Sequence, residues 1–435
     1  MVTATIEQTE QLAIHGGEKT VSTPPVEKWP RISEWGKKKV IEMMDDGVNT
    51  VVGNGGIIGE FESAFAQMCG TKYALTMPNG TSALHSAYFA VGVGPGDEVI
   101  VPTYTWHATI TPILHCAATP VFCDIDATTL TIDPDDIERK ITPRTKAICI
   151  VHVFGNVCDM DRITEICRKH NLILIEDCSH AHGASWNGQK VGSFGAVGCF
   201  SLQGGKPVSG GECGIATTNS AQLMDHMILL GHFGRAKFET DTAIAQVGDM
   251  TLGAKYRAHP YAVALAFGDL KRLGELNEKR TANYALLNDH LRDCPGIEVI
   301  DALPQARRGG YLEFKFKLSN EILALTDRNT IVEAIQAEGA PVDADRYSDF
   351  NYTYGLLHTA PLFRRFDLHS VGGCFYDPSR NGEAEAVRRE TPVLPAAEDL
   401  ARRLITVPAY TDVEAESLEQ TADAMSKVLR NIVSL

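Results

Sequence analysis

Short apolar runs and amphipathic stretches alternate between residues 70 and 220, and the period of the pattern changes from one to the next. "KYALTMP", "DEVIVPTYTW", "PVFCDID", "KAICIVHVFG", "LILIEDCS" and "AVGCFSL" are short and almost wholly apolar, which predicts strands buried on both faces. Between them, "NGTSALHSAYFAVG", "ITPILHCAAT", "DPDDIERKI" and "DMDRITEICRKHN" carry helical spacing, and the acidic first turn of "DPDDIERKI" marks a helix start. A long helical pattern over 261–293 then bridges to short strands such as "GGYLEFKFKL" and to helices such as "NTIVEAIQAEG" and "VEAESLEQTADAMSKVLRNIV". The pattern predicts an α/β protein: a large domain with a mostly parallel sheet between helices, then a smaller C-terminal α+β domain. The expected division is an N-terminal arm over 1–30, a large domain over 31–280 and a small domain over 281–435. The loop-rich stretch 341–393, with its scattered aromatics, reads as a substrate-facing insertion.

Composition narrows the class. The chain has 435 residues, 44% of them hydrophobic, which is ample for a sizeable core. A net charge of −15 argues against a general nucleic-acid binder, because phosphate neutralisation needs clustered Lys and Arg. No apolar run approaches the ~18 residues of a membrane span, and the N-terminus lacks the basic start and apolar core of a secretory signal. Eleven cysteines without a CxxC pair then read as reduced thiols of a cytoplasmic protein.

In a parallel sheet ligands gather at the carboxyl ends of the strands, so the residues just past each strand are the candidates. Asn79-Gly80-Thr81-Ser82 opens a helix after "KYALTMP", either as an ordinary cap or as an anion site built from backbone N–H groups and hydroxyls. Asp177 ends "LILIED", where a buried carboxylate needs a partner. Trp106 closes another strand end as packing or as a stacking platform. His180 and His182 form "HAH", but no third ligand has suitable local spacing, so no metal is expected. Lys206 lies in the glycine-rich "SLQGGKPVSGG"; Pro207 stands where a nucleotide-phosphate loop needs Ser or Thr. A phosphate cradle, a flat aromatic, a buried carboxylate and a lone lysine, in that order, meet the needs of one cofactor, pyridoxal 5′-phosphate.

Four long blocks, "GNGGIIGEFESAFAQMCGTKYALTMPNGTSAL", "GDEVIVPTYTWHATITPILHCAATPVFCDID", "IEDCSHAHGA" and "GSFGAVGCFSLQGGKPVSGGECG", closely resemble the DegT/DnrJ/EryC1/StrS family of sugar and cyclitol aminotransferases. The resemblance covers nearly the whole chain and implies the fold of the aspartate aminotransferase superfamily, fold type I. It implies that Lys206 carries the cofactor through its amine, that Asp177 pairs with the pyridine nitrogen and that His180 contacts the phenolic oxygen. Trp106 would stack on the ring, and Gly80, Thr81, Ser82 and Ser201 would cradle the phosphate. Cys213 stands where the family has Gly, and in "GAKYRAHP" Lys255 stands where it has Asn. That segment is expected to cross a homodimer interface, making the active sites shared. His358 resembles a pocket-lining position, and Tyr352 and Tyr354 are candidate donors to a polyol substrate.

The implied reaction moves an amino group from glutamate or glutamine to a ketone on a cyclitol or sugar. "LAIHGGEKTVSTPPVEKWP" resembles the branch acting on free cyclitols, and the aminohydroxybenzoate synthases. A nucleotide-linked ketosugar, gripped by Arg364 and Arg365, is the alternative acceptor. Two rivals come from other classes: a dehydratase, although family members of that type replace the lysine with His, and a non-catalytic binding protein that keeps the fold, against which intact Lys206 and Asp177 count.

Overall fold

The computed structural model describes residues 11–232, 234–235, 252–348, 355–360, 362–363 and 391–435. Tyr352, Tyr354, Arg364, Arg365 and most of the 341–393 stretch lie outside the described residues. Seven strands form the main sheet: β1 (Tyr73–Met77), β2 (Glu98–Pro102), β3 (Thr119–Cys123), β4 (Thr145–Val151), β5 (Ile173–Asp177), β6 (Val197–Ser201) and β7 (Gly214–Thr218). Their order is β1-β7-β6-β5-β4-β2-β3. Only β7 runs against the rest, pairing antiparallel with both β1 and β6, so the other six end on one edge of the sheet. The chain is therefore α/β with a mainly parallel central sheet, as its pattern implies.

The continuous apolar strands follow from burial of both faces. Val99, Val101, Cys149, Val151 and Ile175 face one core, while Ile100, Ile148, Ile150 and Leu174 face the other. This period of two also sends neighbouring acids to opposite sides. Asp177 follows Ile175 to the first face, whereas Glu176 follows Leu174 and accepts bonds from Gly192, Phe194 and Gly195 N at 2.8 Å each.

A second, antiparallel sheet runs in the order β8 (Ile297–Val299), β9 (Glu313–Leu318), β11 (Leu404–Pro408) and β10 (Asp343–Ala344), over a core of its own. The helical stretch over 261–293 is two helices, Pro260–Leu270 and Leu273–Leu291, rather than one. Arg272 leaves helical geometry at φ −112°, ψ 5°, and its guanidinium folds back onto Asp269 at 2.7 Å. The first helix packs on α1 (Glu34–Asp45) and the second on the helix Ala415–Arg430, so each follows a different core.

Candidate active site

Six strand ends point at one edge, and a cavity of about 500 Å³ opens there. Lys206 enters it from the loop after β6. Its own N–H bonds Gln203 O at 2.8 Å, Gly205 N bonds the Gln203 side chain at 2.9 Å, and Gly204 N bonds Gly211 O at 2.8 Å. Trp29 donates its indole N–H to Gly205 O at 3.3 Å. The loop is thus held while the side chain reaches inward, only 8% exposed. Burial pushes the Lys206 amine down to about 8; Asp177 and Glu313 oppose that effect and Arg346 adds to it. The φ > 0 position of the following turn is Gly211, at 81°, so Cys213 packs in the core without backbone strain.

Asp177 sits on the cavity floor. Thr109 donates its hydroxyl to Oδ2 at 2.8 Å and Ser179 its N–H to Oδ1 at 3.0 Å. His180 accepts from Phe154 N at Nδ1, 3.3 Å, which leaves its proton on Nε2, 3.3 Å from the Tyr347 hydroxyl. Burial and the nearby Lys206 hold it well below the usual histidine range, hence neutral. Its ring is nearly parallel to Tyr347 (15°) and Phe154 (27°). Trp106, 42% exposed, stands at the mouth.

The opposite wall is the first turn of α2 (Gly80–Ala90). Asn79 caps it, accepting from Ser82 N at 2.8 Å and Ser82 Oγ at 2.9 Å. A Cβ on Gly80 would stand 2.8 Å from Ser201 Cβ, so glycine lets the positive end of the helix close on the end of β6. Gly80, Thr81, Trp106, Asp177, His180, Ser201 and Lys206 all line this one cavity.

Ser82 and His358 do not line it, and neither does Lys255, which is expected in the partner's site. Ser82 turns its hydroxyl to Asn79. His358 is 2% exposed, with Nδ1 2.7 Å from Thr103 Oγ1 and Nε2 3.4 Å from Glu398; burial lowers its affinity for a proton. Lys255 is exposed at φ 56°, a left-handed position that favours the Asn expected there. Thr109, Arg346 and Tyr347 line the cavity but were not anticipated. Arg346 pairs with Glu313, which also meets Lys315 at 2.6 Å; Lys315 in turn reaches Asp345 at 2.6 Å. Arg346 and Tyr347 lie just past β10, inside the 341–393 stretch read as substrate-facing, but nothing in its spacing singled out these two residues. Thr109 could have been read from "TYTWHAT", a polar run just past a strand end.

His152, Glu176 and Cys178 cluster within 4.8 Å on the other face of the sheet. Glu176 already accepts three backbone N–H bonds there, which gives it the work of holding the 192–195 turn.

The donor set fits pyridoxal phosphate. It offers a carboxylate met by neutral donors, a neutral imidazole, a lysine amine close to neutrality and a helix N-terminus that only a glycine could bring this near. Fold and site together define an aminotransferase of fold type I. The chain belongs to the DegT/DnrJ/EryC1/StrS aminotransferase family, whose sequence profile matches residues 30–374. It is 33% identical to the L-glutamine:2-deoxy-scyllo-inosose aminotransferase of Streptomyces lividus, over 97% of this chain and 98% of that protein. Over 201 residues it is 47% identical to the GDP-perosamine synthase of Caulobacter vibrioides, covering 46% of this chain and 54% of the other. The solved aminotransferase from Psychrobacter cryohalolentis superposes with a TM-score of 0.78 at 29% identity, covering 94% of this chain and 100% of that one.

Proposed function

We propose that this aminotransferase uses pyridoxal phosphate to move an amino group from L-glutamine or glutamate to the ketone of a free cyclitol of the inosose class, in aminocyclitol biosynthesis. The observation that carries the chemistry is Lys206 buried in the same cavity as Asp177. The full-length likeness to an L-glutamine:2-deoxy-scyllo-inosose aminotransferase supports the acceptor. Pyridoxal phosphate, when bound, supplies the carbonyl carbon that takes the amino group and the ring that draws electrons from it.

The residues have distinct tasks. Lys206 carries the cofactor and, once released, moves a proton at Nζ, a role suited to an amine titrating about 8. Asp177 holds the ring nitrogen protonated, and His180, neutral, donates from Nε2 to the phenolic oxygen. Gly80, Thr81 and Ser201 hold the phosphate; Trp106 covers the ring and excludes water. We assign Ser82 to the cap that shapes the cradle, and His358 to the packing beneath the 103–106 loop. Tyr352 and Tyr354 remain proposed donors to the substrate hydroxyls.

A homodimer with Lys255 acting in the partner's site is part of the same proposal. Its support is the half-exposed Trp106 together with the exposed apolar side chains Ile32, Ile41, Met44 and Val52. We also propose that residues 31–280 and 281–435 form the large and small domains, and that the enzyme works in the cytoplasm, where the free thiols of its described cysteines stay reduced. Among the described residues no helix is long and apolar enough to cross a membrane.

The test is a panel of ketones offered to the amino form of the cofactor on the enzyme, read as loss of that form. Free inososes should react fastest. Faster reaction with nucleotide-linked ketosugars would select the second reading, which the 47% identity to a GDP-perosamine synthase favours.

A further inference from the structure

The acid on the cavity floor accepts from one hydroxyl, Thr109 Oγ1, and one backbone N–H, that of Ser179. Thr109 Oγ1 lies 2.8 Å from Asp177 Oδ2 and 2.9 Å from Thr105 Oγ1. An ionised carboxylate only accepts, so the single Thr109 proton goes to Asp177, and Thr105 must donate to Thr109. Tyr88 fixes the turn by donating its hydroxyl to Thr109 O at 2.7 Å. All four side chains are buried.

We infer that Thr109, relayed by Thr105, is a positioning residue that keeps the shared proton on the cofactor's ring nitrogen instead of on Asp177. A hydrogen bond donated to the charged form of an acid favours that form, whereas burial alone favours the neutral acid. A proton lying between a carboxylate and a pyridine nitrogen therefore sits on nitrogen when the carboxylate is held as an anion, and drifts to oxygen when that support is lost. Thr109 also takes one lone pair of Oδ2, which fixes the direction of those left for the ring. The inference rests on the pyridoxal phosphate reading.

The experiment uses the full chain reconstituted with pyridoxal phosphate labelled with nitrogen-15 in the ring, comparing wild type, Thr109→Val and Thr109→Ser. The wild-type resonance should lie in the protonated pyridine range. Thr109→Val, equal in shape, should move it towards the neutral range, and Thr109→Ser should restore it. In the first half-reaction with glutamine, Thr109→Val should lower kcat about tenfold, the scale of one hydrogen bond to a charged group, with KM unchanged within about twofold. Thr109→Ala serves the same comparison should the valine variant not fold. A Thr109→Val or Thr109→Ala resonance and kcat matching wild type would overturn the inference, as would a serine variant that behaves like valine. A wild-type protein that takes up no pyridoxal phosphate would instead overturn the cofactor reading beneath it.

Discussion

Burying an amine that must work as a base has a measurable effect on stability, and Lys206→Met isolates it. In the cofactor-free protein Lys206 is only 8% exposed and its amine is pushed from 10.5 down to about 8 by burial. That gap of roughly 2.5, at 1.36 kcal/mol each, makes the charged lysine about 3 kcal/mol unfavourable in the folded state. The sign follows from proton counting. Below pH 8 both folded and unfolded chains hold the proton and the penalty is complete. Between about 8 and 10.5 the unfolded chain binds more protons, so stability rises with pH; above 10.5 the penalty is gone. Methionine keeps the length and apolar stem without the charge. The variant should therefore be more stable than cofactor-free wild type by about 3 kcal/mol at pH 7, and by less than half of that near pH 9.5. Urea unfolding at both pH values and equal protein concentration measures the difference, since urea leaves charge interactions unscreened and a bound cofactor would mask the effect. A Lys206→Met variant no more stable than wild type at pH 7, or an advantage that does not shrink with pH, would refute the argument.

Three further outcomes are expected. Gly80→Ala places a Cβ 2.8 Å from Ser201 Cβ and should weaken cofactor affinity by about tenfold or more, an overpacking cost of about 1–3 kcal/mol, read by fluorescence titration of the apoprotein; unchanged affinity would mean the helix N-terminus does not hold the phosphate. Asp177→Asn should fold normally, since the Asn oxygen can still accept from Ser179 N while its NH2 donates to Thr109 Oγ1, which then donates to Thr105, yet lose at least about 100-fold in half-reaction rate by stopped-flow absorbance. Mixing inactive Lys206→Ala with inactive Lys255→Ala subunits should recover activity, because a hybrid dimer holds one intact site; demonstrable heterodimers that stay dead would remove Lys255 from the partner's site.

Much of the site was readable because a parallel sheet turns a one-dimensional cue into a place. Each apolar run ends where a strand ends, and six strands end on one edge. Gly80, Trp106, Asp177, Ser201 and Lys206 are in part hundreds of ångströms of extended chain apart, yet each lies at or just past the end of such a run. What spacing could not say is which way a polar side chain turns. Ser82 has the same chemistry as Thr81 but faces Asn79, because an N-cap oxygen three residues earlier takes both of its donors. His358 carries an imidazole suited to a pocket, but Thr103 and Glu398 hold it in the core.

The sequence by itself determined the fold class, the alternation of six apolar strands with helices, the family and the candidacy of Asp177 and Lys206, because these depend on local period and on motifs in short continuous blocks. Only the tertiary structure decided the rest. It broke the 261–293 pattern into two helices, because each half packs on a different core. It set Thr109 under Asp177, 68 residues away. It also carried Arg346 and Tyr347 from beside β10 to the cavity wall. Those contacts join residues far apart in the chain through packing, and packing partners leave no period in the sequence.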